Sequence, residues 1–176
     1  YQITKASEIP EVIAKAFYIA KSGRPGPVLI DITKNAQFDM LDFHYQPCHH
    51  IRSYKPVPTA SDSSLKAAAQ LINTAKKPFI VFGQGVILSE AETIFKAFVE
   101  KTGIPAAWTI LGLSALETDH PLNVGMVGMH GKYRDNLSTN ARGVLNVVGM
   151  RFVDRVTGNI ATYTRQAKVM GLDRDP

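Results

Sequence analysis

The sequence predicts an α/β fold: a parallel, doubly wound sheet of the Rossmann type, flanked by helices and preceded by a helix–strand tail. Three observations carry this expectation. Short apolar runs, such as Phe79-Ile80-Val81-Phe82 and Val144-Leu145-Asn146-Val147-Val148, alternate with stretches of helical periodicity. Glycine-bearing segments follow those runs directly, at Gly83-Gln84-Gly85 and at Gly149. The joints are short, as a sheet of parallel strands and crossover helices requires.

Ser7 to Ser22 reads as an amphipathic helix capped by Ser7, with Ile9, Val12, Ile13, Ala16, Ile19 and Ala20 at helical spacing. Gly23-Arg24-Pro25-Gly26-Pro27 stops it, because proline cannot donate to a helix and glycine permits a sharp turn. Val28-Leu29-Ile30-Asp31-Ile32 follows as a short strand. A helix and one strand cannot enclose a core, so residues 1–34 are expected to be the end of a larger domain. Periodicity disappears over residues 35–62, where Pro47, Pro56 and Pro58 fall, and an interdomain linker is expected there.

Residues 63–176 are regular and form the second expected domain. A helix over Ser63–Ala75 places Leu65, Ala68, Ala69 and Ile72 on one face. Pro78–Phe82 is a buried strand ended by Gly83-Gln84-Gly85. Ser89-Glu90-Ala91-Glu92 has the pattern of a capping box, opening a helix that turns Ile94, Phe95, Phe98 and Val99 inward and stops at Gly103. Ile104–Thr109 is the next strand, a glycine-rich loop follows, and a short helix is expected after Gly131. Val144–Val148 and Lys168–Leu172 complete the strands.

Composition excludes several function classes. With 45% hydrophobic and 20% charged residues among 176, the chain has ordinary globular usage. No apolar run approaches the roughly 18 residues a membrane helix needs, so no membrane partner is expected. Twenty Lys and Arg against fifteen Asp and Glu leave a charge of +5, but the cations are scattered. Without a basic stripe interleaved with aromatics, nucleic acid is not an expected partner. The single cysteine, Cys48, excludes an intrachain disulfide and fits a reducing compartment; a cytoplasmic location is expected. Starting at Tyr1 just ahead of a helix, the chain reads as an excised piece of a longer protein.

Gly83-Gln84-Gly85 sits where a dinucleotide fingerprint would, although Leu88 occupies the place of its third glycine. Either it is only a tight turn, or its amides approach a dinucleotide. Gly128-Met129-His130-Gly131 admits two readings as well: a mobile loop, or a backbone that passes close to a flat ligand with His130 as a polar edge. Arg151 and Arg155, four apart after a strand, suit a pyrophosphate better than a plain surface cluster, since open α/β sheets bind ligands at that edge. His44, Cys48, His49 and His50 are expected to be linker and not a metal site, because adjacent histidines rarely both reach one ion. No catalytic residues are assigned: there is no Ser-His-Asp order, no HExxH and no Walker loop.

Taken together, these segments resemble the large, catalytic subunit of acetolactate synthase (acetohydroxyacid synthase), a thiamine-diphosphate enzyme. The resemblance rests on the stretches from Ser22 to Asp31, from Gly125 to Gly131 and from Gly149 to Gly158. It implies that residues 1–34 close a pyrimidine-binding domain and that residues 63–176 are most of a central domain holding FAD as a structural cofactor. By the same resemblance Arg24, Gly83, Gln84, Gly85, Thr109, Ile110 and Leu111 would line the flavin nucleotide. Gly128, Met129, His130, Gly149, Met150, Arg151, Arg155 and Val156 would line it too, with Asp173 accepting from the adenosine ribose. Lys34, Met129 and Asp154 match positions near a channel to the active site. Val153 stands where the family usually has Asp, and Gly171 and Arg174 depart from its His-Ile-Asp-Ile-Asp-Pro stretch, so a low FAD affinity is expected.

The resemblance implies a parent enzyme that joins pyruvate to pyruvate or 2-oxobutyrate, releasing CO₂ in branched-chain amino-acid synthesis. Thiamine diphosphate and Mg²⁺ would belong to the full-length enzyme alone, because its activating Glu and Gly-Asp-Gly…Asn motif have no match in this chain. The piece by itself is expected to be inactive. A homo-oligomer and a regulatory small subunit are the implied partners. The alternatives are the central domain of another thiamine-diphosphate carboligase or oxidase, and a stand-alone nucleotide-binding module.

Overall fold

In the computed structural model, which describes residues 1–57, 59–131, 143–161, 163–164 and 167–173, the strongest apolar patterns become the central strands. The chain divides into two compact units, with the division just before Thr59.

In the first unit β1 (Gln2–Ile3) pairs in parallel with β2 (Asp31–Ile32), and α1 (Ile9–Lys21) lies between them in the chain. Ser7 is not the cap of this helix but falls in a 3₁₀ turn, Ala6–Glu8. Pro10 then occupies the first turn of α1, where its missing N–H leaves no bond unmade. Of the expected strand, only Asp31 and Ile32 pair.

Part of the stretch expected to be linker belongs to this unit. α2 (Lys34–Phe38) follows β2 directly. Tyr54 returns to the end of α1, with its ring edge-on to Tyr18 at 6.0 Å and its hydroxyl donating to the Ser22 carbonyl at 3.1 Å. Gly23 makes room for this contact, since a Cβ there would lie 2.7 Å from the Tyr54 hydroxyl. Residues 41–50 carry no regular structure.

The second unit opens with α3 (Asp62–Thr74), capped by the Ser61 hydroxyl, which accepts from the Ser64 amide at 3.2 Å. Five strands form one parallel sheet: β3 (Pro78–Phe82), β4 (Ala106–Trp108), β5 (Asn123–Met126), β6 (Val144–Val148) and β7 (Lys168–Leu172). Their order is β5-β4-β3-β6-β7, so the sheet grows outward in both directions from its first strand, as doubly wound sheets do.

Side chains alternate across the sheet. Ile80 and Phe82 turn to one face, with Val86 of α4 (Gln84–Leu88), Phe95 and Val99 of α5 (Glu92–Thr102) and Ile72 of α3. Phe79 and Val81 turn to the other, with Ala107, Val127, Leu145, Val147 and Met150. Cover on both faces is why β3 and β6 read as nearly unbroken apolar runs.

In the second unit the structure corrects the expected elements in three further places. β5 lies inside what was expected to be a glycine-rich loop, whose first part is a 3₁₀ turn, Ile110–Ala115. The capping box at Ser89 does not form: α4 carries the chain through Leu88, the Ser89 amide bonds to the Gly85 carbonyl, and Ala91 precedes α5 without a side-chain cap. The expected strand Ile104–Thr109 is reduced to three residues, Ala106–Trp108. The short helix expected after Gly131 falls on residues 132–142, outside the described residues. None of the described helices is long and apolar enough to cross a membrane.

Candidate functional site

Parallel strands put all their C-terminal ends on one edge of the sheet, and chemistry-bearing segments follow each of the five. Gly83-Gln84-Gly85 follows β3, and Thr109-Ile110-Leu111 follows β4. Gly128-Met129-His130 comes just after β5, Gly149-Met150-Arg151 follows β6, and Asp173 follows β7. A helical turn, Asp154–Thr157, adds Asp154, Arg155 and Val156. Arg24, on the turn after α1, and Lys34, the first residue of α2, belong to the other unit.

Backbone contacts tie these segments to one another. The Thr109 amide donates to the Phe82 carbonyl at 2.9 Å, and the Gly83 amide donates to the Val148 carbonyl at 3.0 Å. The Gly85 amide reaches the Gly149 carbonyl at 2.8 Å, and the Gly149 amide reaches the Leu172 carbonyl at 2.8 Å. The contact between the β3 and β6 segments needs glycine on both sides. A Cβ on Gly85 would lie 2.5 Å from the Gly149 Cα, and one on Gly149 would lie 2.6 Å from the Val86 nitrogen. Gly149 also has φ +58, in the left-handed region that glycine favours. Of the two readings of Gly83-Gln84-Gly85, this geometry favours the turn, since the amides of both glycines already have carbonyl partners.

The Gly128 segment is tied down in the same way. Gly128 is buried, the Met129 amide donates to the Arg155 carbonyl at 2.8 Å, and a Cβ on Gly128 would lie 2.8 Å from that oxygen. Arg155 folds back over the same loop, with Nη1 4.0 Å from the Met129 sulfur.

What the edge shows to solvent is mixed. Ile110, Leu111, Met129 and Phe152 are 63%, 60%, 59% and 50% exposed. Arg151, Arg155, Asp154 and His130 are exposed beside them. The side chain of Met150 points into the core, and that of Thr109 is buried, so these two offer the edge mainly backbone. Val156 packs against the core from the helical turn. Among the described residues no group of three or more His, Cys, Asp or Glu could hold a metal ion.

A second set of contacts, not anticipated from the sequence, steadies β5. Lys96 of α5 pairs with Glu117 at 2.6 Å, and Glu100, one helical turn on, faces His120 Nε2 at 3.6 Å. His120 Nδ1 accepts from the Leu122 amide at 3.2 Å. The Asn123 side chain donates to the Glu117 carbonyl at 2.9 Å and closes the turn into β5. The signal was present in Thr118-Asp119-His120-Pro121, a run of turn-forming residues.

Post-strand segments on one edge of a β5-β4-β3-β6-β7 parallel sheet describe many nucleotide-binding proteins, and similarity to known proteins narrows them. A model of the thiamine pyrophosphate enzyme central domain matches residues 65–176. The chain belongs to that family. Over its whole length the chain is 40% identical to the acetolactate synthase large subunit of Corynebacterium glutamicum, covering 28% of that protein. It is 36% identical to the acetolactate synthase isozyme 3 large subunit of Escherichia coli, covering 31% of it. The chain therefore spans less than a third of the length of these relatives. A crystal structure of a candidate thiamin diphosphate-dependent enzyme from Mycobacterium smegmatis shares the fold, with a TM-score of 0.75 over 100% of this chain and 33% of that one, at 24% identity.

Proposed function

We propose that this chain is most of the central domain of an acetolactate synthase, preceded by the end of its pyrimidine-binding domain; such an enzyme joins two 2-oxoacids, pyruvate with pyruvate or 2-oxobutyrate, and releases CO₂. Similarity along the whole of this chain to acetolactate synthase large subunits, of which it spans less than a third, supports the reading. Thiamine diphosphate and Mg²⁺ would act elsewhere in such an enzyme, because this chain contains no Gly-Asp-Gly motif. A cytoplasmic location, a homo-oligomer and a regulatory small subunit go with the same proposal.

The part assigned to this chain is to hold FAD at the C-terminal edge of its sheet. The observation that carries the assignment is the meeting, on one rim, of two exposed guanidinium groups and four exposed apolar side chains. Arg151 and Arg155 suit a pyrophosphate, which accepts bidentate guanidinium hydrogen bonds. Ile110, Leu111, Met129 and Phe152 suit a flat heteroaromatic ring. Asp173, at the end of the outer strand β7, is the proposed acceptor for a ribose hydroxyl. Bound in this way, the flavin would be a structural element and not a redox carrier. Met129 and Asp154 are read, in addition, as part of the approach to the thiamine centre.

The test is direct. The chain, incubated with FAD and separated from free ligand by gel filtration, should carry the oxidised-flavin absorbance bands with it. A protein peak free of flavin at every FAD concentration would remove the assignment.

A further inference from the structure

Nucleotide-binding loops of Rossmann sheets use glycines so that backbone amides can point at a pyrophosphate. Here the glycines at the same edge do something else. The Gly83 and Gly85 amides are spent on the carbonyls of Val148 and Gly149, across the point where the strand order reverses. The missing Cβ of Gly85 is what lets the Gly149 backbone come so close. From that contact the chain passes through Met150, which is buried, to Arg151, which is exposed, so the docking sets the direction in which Arg151 leaves the sheet. On the other side, the Arg155 carbonyl occupies the space that a Cβ of Gly128 would fill and receives the Met129 amide.

We propose that Gly85 and Gly128 are positioning residues: by docking neighbouring loops backbone to backbone, they fix Arg151 and Arg155, through which the edge takes the phosphates of its ligand. The proposal rests on the flavin assignment only for its choice of ligand. The docking itself is a property of the ligand-free chain, and it makes the edge a preformed shelf in place of a set of mobile loops.

Two measurements test it. In amide hydrogen exchange on the chain without FAD, Gly85 and Met129 should be protected. Exchange as fast as that of residues 41–50 at both amides, with protection gained only when FAD is added, would overturn the proposal. The second measurement compares Gly85→Ala and Gly128→Ala with Gly103→Ala in an FAD titration. Gly103 ends α5 with φ +65 and has open space around it, so its alanine variant carries left-handed strain without a clash.

Misplacing one guanidinium should weaken FAD binding about tenfold or more in the first two variants, while Gly103→Ala stays within about twofold of the parent chain. Folded Gly85→Ala and Gly128→Ala chains that bind as tightly as the parent would sink the idea. If the parent chain binds no FAD, the flavin assignment falls and the exchange data alone decide the docking. The same data decide it if the alanine variants do not fold.

Discussion

Asn146 is the residue at which local chemistry and fold disagree most. It sits in the middle of β6 with 0% exposure, and its amide nitrogen donates to the Phe79 carbonyl at 3.2 Å. Its Oδ1 is buried and has no hydrogen-bond partner among the described residues. An unmade bond of this kind costs more than the made one returns, because the oxygen has given up water for nothing. Asn146→Leu should therefore stabilise the chain by about 1 kcal/mol and raise the melting temperature by about 2–4 °C. A lower melting temperature would mean that the amide has a role this account lacks.

Tyr163 is a second such residue. Burial among the apolar residues of one sheet face pushes its phenol up to about 12. The fold thus holds the neutral form. The stability it contributes is fully present below the ordinary tyrosine value near 10 and is lost as the pH rises through about 12. Alkaline unfolding should be shallower in Tyr163→Phe than in the parent chain, and identical profiles would contradict the burial argument.

At the scale of elements, two serines separate pattern from structure. Ser61 and Ser89 both stand before helices, but only Ser61 makes a cap bond. Ser61→Ala should cost about 1 kcal/mol in urea unfolding, whereas Ser89→Ala should be near neutral. Equal losses would show that the box at Ser89 forms in solution.

The capping box was misread because it fits Glu92 equally well on paper; only the short α4, which continues through Leu88, moves the start of α5 past it. β3 and β6 were legible to the residue, since nearly unbroken, buried apolar runs leave few alternatives. β5 was not legible because Gly125 interrupts it and because its register shifts against β4 between Ala106 and Ala107. The post-strand segments of the site could be read from glycine spacing, but the docking of Gly85 on Gly149 could not. It depends on the strand order, which places β6 beside β3 although 61 residues separate their nearest ends in the chain (Phe82 to Val144 leaves 83–143 between).

For the molecule as a whole, what matters is what the two units lack as well as what they hold. With pyruvate, thiamine diphosphate and Mg²⁺, this chain alone should release no CO₂ above a protein-free control, because no residues for activating thiamine or binding its metal can be matched within it. Its proposed part is to hold a flavin nucleotide on a shelf at the C-terminal edge of the second unit, with Arg151 and Arg155 on the phosphates. The most direct measurement is an FAD titration of the parent chain, Arg151→Ala and Arg155→Ala, read by flavin fluorescence. Losing one charge-assisted hydrogen bond of about 1.5–3 kcal/mol should weaken binding roughly ten- to a hundredfold in each variant. Measurable binding that is equal in all three chains would place the phosphates elsewhere and contradict the account.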